Sequence, residues 1–487
     1  MIQKFFKDSA VYTIGNILTR GMAIFMLPIY TRLLSPSDYG VIDMILLIGS
    51  FINVTIALEI NQGFGRYYSE TDSIKEQDEY SSTSLWFVLF AYSLFLVFSL
   101  VFSNWLNDII IGSNYSVTVF RIALISIWGN GIFLFLQNQL RWYLLSKEYT
   151  IVGVVYTFIS YSLTIVLMLV YKFGTTAVFL GLLSGNVAAA VLSWYYAKGK
   201  YKLVFVWEKL DIMLSYSIPL IPASIGTIVL LYIDRIAIKN LMSLSDVGIF
   251  GIAFRFSAIV SLVLSGFQTA MAPLIYQNYK NVEAPFEIAR IFKYFLLSVL
   301  SFIIALSFFS KEVLIVFTTP AYYEAAKIIP IISFATLFLA MNIFTPGLSL
   351  AKKTKIIAII NIFAGVLNTV LNYTLIPHFG IIGASVSTLL SSIVTFIIYM
   401  KYSQKYFYVP YEWSKIITVF CVGIFFVLLI SPVENIININ LLPLILFKIV
   451  VLVLIILFML KTLIGFKKSN ELLKYFSNIL SNKITKK

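Results

Sequence analysis

The sequence predicts an all-α integral membrane protein with fourteen transmembrane helices, and three observations carry that reading. Apolar residues fill 60% of the 487 positions and charged residues only 12%, against about 25% charged in an ordinary soluble domain. Apolar runs long enough to cross ~30 Å of hydrocarbon recur along the whole chain. These runs lack the alternation of a membrane β-strand, as 446–460 (LFKIVVLVLIILFML) shows. A soluble globule this apolar would expose adhesive patches. The 42 Phe and 30 Tyr exclude a disordered chain. One Cys (Cys421) excludes an internal disulfide and a Cys-based metal site, and one His (His378) argues against a His-ligated metal site or a His relay, so no metal is expected.

In order, the spans read as 9–32, 39–60, 83–103, 117–139, 150–171, 175–197, 212–234, 247–269, 291–309, 326–350, 356–376, 381–400, 415–431 and 441–461. The first ten residues, MIQKFFKDSA, lead straight into the first span, so no cleavable signal peptide is expected. Pro28, Pro219, Pro222, Pro273 and Pro346 break or kink spans, as suits moving lobes, though proline is also common in passive membrane helices. With the N-terminus placed inside, inward segments hold 26 of the 36 Lys and Arg and outward segments six. The positive-inside rule then makes both termini cytoplasmic, with 104–116 and 310–325 outside. The net charge of +14 reflects topology and attraction to anionic lipid. The basic residues are scattered over short loops, so no nucleic acid partner is expected. The tail beyond 461 carries Leu472, Leu473, Phe476, Ile479 and Leu480 at helical spacing and reads as an amphipathic helix on the inner leaflet.

An internal repeat organises the spans. Residues 34–42 (LSPSDYGVI) and 242–250 (MSLSDVGIF) match at an offset of 208, and 172–177 (KFGTTA) and 378–383 (HFGIIG) match at 206. Two parallel six-helix lobes follow, an N-terminal lobe at 1–210 and a C-terminal lobe at 211–403. They are pseudo-symmetric in the manner of transporters. Spans 13–14 (404–461) and a basic cytoplasmic tail (462–487) lie outside the repeat. By itself Ser-x-Ser-Asp reads as helix capping.

Three segments carry a family resemblance: LLSPSDYGVIDMI at 33–45, SIPLIPASIGTIVLLYIDRIAI at 217–238 followed by DVGIFGIAFRFS at 246–257, and 354–388. With fourteen spans they resemble the Wzx-type polysaccharide flippases of the MOP (MATE-like) superfamily. Phe250 stands where that pattern usually has Tyr. The resemblance implies a flippase moving undecaprenyl-diphosphate-linked oligosaccharide repeat units across the bacterial cytoplasmic (inner) membrane by alternating access. It implies service to surface polysaccharide such as lipopolysaccharide O-antigen, and polysaccharide polymerase or chain-length machinery as partners beside membrane lipid. In lipid II flippases the extra helix pair helps form a groove for the lipid tail, and spans 13–14 suit the same role.

A diphosphate crossing the bilayer needs a hydrated path with fixed positive charge, and arginine binds phosphate bidentately. Arg20, midway along span 1, and Arg255, in span 8, are the candidates; the alternative for each is a fixed ion pair. Arg66, Arg290 and Lys293 could capture the diphosphate at the cytoplasmic side, or simply anchor the topology. Arg121 and Lys448 are expected to snorkel to the interface. Asp43, deeper than Asp234, is the candidate ion-coupling group, since a carboxylate can bind Na⁺ or exchange a proton; its alternative is pairing with an Arg. Asn361, Asn368 and Asn372 share one helical face, and Gln137, Asn138, Gln139 and Asn342 add further amides. They could bind sugar hydroxyls or serve as interhelical glue. No cofactor is expected. A multidrug or other small-molecule or ion antiporter of the same superfamily would want an acid-bearing cavity instead. An enzyme of the pathway would need a large outer loop, and the outer segments are too short, so none is expected.

Overall fold

The computed structural model describes residues 15, 19, 21–22, 25–113, 115–436 and 441–465. Among the described residues every regular element is helical. Inside lipid this suits the chain, because a helix satisfies its own backbone hydrogen bonds within one segment. Eleven described helices are long and apolar enough to cross a membrane, and Trp413–Leu429 is a shorter apolar one. One of the eleven, Thr354–Tyr406, has 53 residues and holds both predicted spans 11 and 12. Half of predicted span 1, including Arg20, lies outside the described residues, as does the tail from 466 with its amphipathic pattern.

The chain forms two compact units, Met1–Gly251 with Val316–Tyr322, and Ile252–Ile315 with Tyr323–Lys487. Their boundary falls some forty residues beyond the sequence-based lobe boundary at 210, because contacts made by 221–251 tie that segment to the first unit. The first unit contains α1 (Pro36–Thr55), α2 (Ile60–Glu70), α3 (Ile74–Val101), α4 (Ser103–Ile110), α5 (Val117–Trp142), α6 (Ser146–Leu169), α7 (Thr175–Ala197), α8 (Trp207–Ser217) and α9 (Ile221–Leu241). It also takes the start of α10 (Leu244–Asn278). Predicted span 7 is broken where Pro219 and Pro222 fall: α8 ends at Ser217, a 3₁₀ turn covers Ile218–Leu220, and α9 begins at Ile221. Proline lacks the N–H that a continuous helix needs. Predicted span 2 stops early as well. Its helix ends at Thr55, and Leu58 and Glu59 turn the chain with φ of 50° and 52° before α2.

The second unit contains the rest of α10, then α11 (Ala284–Phe308), most of α12 (Ser310–Phe317), α13 (Ile329–Ala340), α14 (Gly347–Leu350), α15 (Thr354–Tyr406), α16 (Trp413–Ile436) and α17 (Leu441–Ile464). Its core is a wall of large apolar side chains, including Phe292, Phe295, Leu296 and Phe344, all fully buried. Lys448 departs from expectation. It does not snorkel; it is fully buried and pairs with Glu312 at 2.5 Å. A lone ammonium in a dry interior is costly, and the carboxylate of α12 supplies the counter-charge.

The sequence repeat recurs in the backbone. Ser35 and Asp38 form a capping box at α1, with Asp38 N–H donating to Ser35 Oγ at 3.2 Å and Ser35 N–H donating to Asp38 Oδ2 at 3.1 Å. Ser243 and Asp246 repeat the cap at α10, again with an N–H to Oγ distance of 3.2 Å. Leu144 and Lys352, 208 apart, both adopt left-handed φ (59° and 56°). Each turn closes on a matching backbone bond, Leu145 N–H to Leu140 O and Lys353 N–H to Leu348 O, both 2.9 Å. Gly174 (φ 53°, ψ −131°) and Gly380 (φ 58°, ψ −139°), 206 apart, share a conformation that only glycine takes readily.

Candidate functional site

The first unit holds a buried ion pair. Arg235 on α9 donates from Nε to Asp43 Oδ2 on α1 at 2.5 Å, and the two side chains are 3% and 9% exposed. The site is built by the repeat motif. A Cβ on Gly40 would lie 1.9 Å from the Leu244 carbonyl oxygen, and one on Gly248 would lie 1.9 Å from the Pro36 carbonyl oxygen. Two glycines thus let α1 and α10 touch backbone to backbone. One turn further on, Gly251 faces Asp43: a Cβ there would sit 3.0 Å from Asp43 Oδ2. Tyr232 and Phe250 place their rings 5.1 and 5.7 Å from the Arg235 guanidinium. Asp43 is therefore paired with an arginine. That partner is Arg235, which lies in the segment 217–238 that carries the family resemblance.

A second polar feature of this unit escaped sequence reasoning. Tyr92 hydroxyl donates to Asn53 (2.8 Å), Asn53 to Asn130 (3.0 Å), Asn130 to Asn186 (3.2 Å) and Asn186 to the Ser126 carbonyl (3.1 Å). The chain of amides crosses α3, α1, α5 and α7. Single asparagines in otherwise apolar spans were its signal. Gln139 is buried among Ser84, Tyr143 and Tyr201. Gln137 donates to the Tyr149 carbonyl at 3.3 Å. Arg66 on α2 is half exposed, bonded to Glu70 at 3.1 Å, and lies 4.6 Å from the Tyr216 ring. Glu70 holds its guanidinium above the usual value.

In the second unit Arg255 is partly exposed on α10. The three predicted asparagines sort by depth. Asn361 is exposed and accepts from Tyr399 hydroxyl at 2.8 Å. Asn368 and Asn372 are buried; Asn368 donates to Ser391 Oγ (3.2 Å), and Asn372 donates to Asn368 (2.9 Å). The Asn361–Tyr399 and Asn368–Ser391 pairs are both centred on Gly380 to within a residue, so the arms of α15 fold back antiparallel there. Asn342 lies in a 3₁₀ break after α13, just before Pro346, and its amide oxygen has no partner among the described residues. Arg290, Lys293 and Glu412 line a cavity of about 440 Å³. Lys293 and Lys415 hold the Glu412 carboxyl below the usual carboxylate range by hydrogen bonding to it. Among the described residues no cluster of three or more His, Cys, Asp or Glu could hold a metal.

Comparison with known proteins adds the family. A family model described as polysaccharide biosynthesis protein matches residues 29–275, and one described as MatE matches 219–374. An uncharacterized membrane protein of Methanocaldococcus jannaschii is 25% identical over 417 residues, covering 80% of this chain and 96% of its own length. A probable low-salt glycan biosynthesis flippase of Haloferax volcanii is 24% identical over 208 residues, 42% of this chain and 44% of that one. Lipid II flippase MurJ in an inward closed conformation gives a TM-score of 0.67 at 17% identity, covering 93% of this chain and 98% of that chain. An inward-facing multidrug resistance MATE family transporter of the MOP superfamily gives 0.66 at 14% identity, covering 81% and 94%. The fold is the one these transporters share.

Proposed function

The chain belongs to the polysaccharide biosynthesis protein family, and we propose that it is a flippase for lipid-diphosphate-linked oligosaccharide repeat units. The observation that carries this reading is the family match over residues 29–275, half of the chain. The fold likeness to a lipid II flippase over 93% of the chain supports it. In this proposal the protein sits in a bacterial cytoplasmic membrane with both termini inside, takes an undecaprenyl-diphosphate-linked substrate and hands it to a polymerase outside. Two six-span lobes, 1–210 and 211–403, rock about one cavity. Arg20 and Arg255 hold the diphosphate in transit, since a desolvated diphosphate needs compensating charge. Arg66 receives it at the cytoplasmic side, with the neighbouring Tyr216 and Tyr67 rings offering faces to the sugar. Asn361, being exposed, is the asparagine best placed to meet a sugar hydroxyl; Asn368 and Asn372 serve mainly as glue. Asp43 would couple transport only by releasing Arg235, when a proton or Na⁺ replaces the guanidinium.

The test is restoration of surface polysaccharide in a flippase-deficient bacterial host, with membrane abundance checked. Wild type should restore it. The Arg20→Ala, Arg255→Ala double variant should not, and the two lysine replacements should restore it in part, because an ammonium lacks the bidentate fork. Full restoration by the double alanine variant would remove both arginines from the mechanism. A second reading, a multidrug or other small-molecule or ion antiporter, has the MatE match at 219–374 in its favour. It predicts drug resistance in an exporter-deficient host and no polysaccharide phenotype. The pairing of Asp43 with Arg235 weighs against it, because that carboxylate is already neutralised.

A further inference from the structure

We propose that the second unit carries a binding site for the phosphate head group of an anionic phospholipid, seated on Arg290 in the cavity between α11, residues 410–412 and the end of α17. The cavity, about 440 Å³, is of ligand size. Its polar wall is Arg290, Lys293 and Glu412; its apolar wall includes Phe286, Leu463 and Ile464. Lys293 is engaged by Glu412, which also holds Lys415 at 2.5 Å. Arg290 differs: among the described residues no hydrogen bond or ion pair engages it. An arginine fork with no counter-ion, facing a cavity between membrane-spanning helices, matches a phosphate in charge and geometry.

Two features select a lipid over a soluble anion. α11 and α17 are both long and apolar enough to span a membrane, so the cavity opens where lipid is the neighbour. The half-buried Ile464 and the largely exposed Phe286 give an acyl chain a surface to follow away from the phosphate. The Lys/Arg distribution places this end of α11 and α17 on the cytoplasmic side, where anionic lipids concentrate and basic pockets between helices bind their head groups. The inference is independent of whether the protein moves lipid-linked glycan or another cargo.

The test uses the full-length protein in nanodiscs of neutral phosphatidylcholine, with bound lipid read by native mass spectrometry after titration with phosphatidylglycerol. Parallel titrations use a short-chain isoprenyl diphosphate and inorganic phosphate. Wild type should retain phosphatidylglycerol. Arg290→Gln should bind it about tenfold more weakly, the loss of one charged hydrogen-bonding group. Glu412→Gln should bind it more tightly, because Lys293 is released to the phosphate. The melting temperature of each variant, read alongside, establishes that it is folded, and Arg290→Lys should lie between Gln and wild type. Equal retention by wild type and folded Arg290→Gln overturns the site. Displacement of the lipid by inorganic phosphate at equal concentration overturns the role of the apolar wall. Tighter Arg290-dependent binding of the isoprenyl diphosphate overturns the choice of phospholipid.

Discussion

The hairpin formed by α6 and α7 and the hairpin formed by the two arms of α15 occupy the same place in the repeat, yet different chemistry seals them. In the first, Gly181 and Gly185 let the helices approach until a Cβ at 185 would lie 1.9 Å from Ser160 Oγ. Ser160 and Thr164 face these glycines. In the second, the same four places are Asn368, Asn372, Ser387 and Ser391, and amide hydrogen bonds replace the close backbone contact. Small residues and polar glue are the two devices available where lipid tails remove any hydrophobic preference between helices. The comparison teaches that the buried asparagines of α15 answer a packing need that the other copy meets with glycine. A further contrast lies at Asp43 and its counterpart 208 positions on, Gly251. One copy carries the charge and the other carries the space beside it.

The largest effect expected from breaking this contrast is at the ion pair. Asp43→Ala should destabilise the protein by about 3–5 kcal/mol, because the buried Arg235 guanidinium loses the carboxylate that neutralises it. Arg235→Leu on top of it should recover part of the loss. Thermal melting in detergent would register both, and an unchanged melting temperature for Asp43→Ala would mean the charge has another outlet. Next comes Gly181→Leu, whose Cβ would meet Thr164 Oγ1 at 2.0 Å and the Ser160 carbonyl oxygen at 2.6 Å. Overpacking of this kind costs about 1–3 kcal/mol or more. Ser387→Leu, at the matching place in α15, should cost less if the second hairpin is indeed spaced by side chains; a larger loss there would reverse the comparison.

Two smaller effects sharpen it. Gly174→Ala and Gly380→Ala force an unfavourable backbone conformation, at about 1–3 kcal/mol each. Near-equal drops in melting temperature are expected, and a drop at one site alone would deny that the two corners are equivalent. Asn368→Ala and Asn372→Ala should each cost only about 0.6 kcal/mol, the scale of one interhelical hydrogen bond in a membrane. A double-mutant cycle would show coupling between them. Transport lost with no fall in stability would instead make them substrate ligands.

Several features of this fold were legible in the residues alone. Apolar run length specified helices, because lipid tolerates no unpaired backbone. Pro219, Pro222 and Pro346 marked the broken spans, because a missing N–H acts within one turn. Ser35–Asp38 and Ser243–Asp246 announced two helix starts, and the 208 and 206 offsets announced the repeat. All of these are read along the chain, with no knowledge of which helices touch. What stayed hidden was the choice of partners. Asp43 found Arg235 across 192 positions, and Lys448 found Glu312 across 136, burying a charge that the sequence sends to the interface. Asn368 found Ser391 across 23 positions. The sequence by itself determined which segments are helices, where they start and break, and that the halves repeat. Only the tertiary structure decided which polar groups neutralise one another, because that depends on which helix faces touch, and hydropathy carries no information about the far end of a contact.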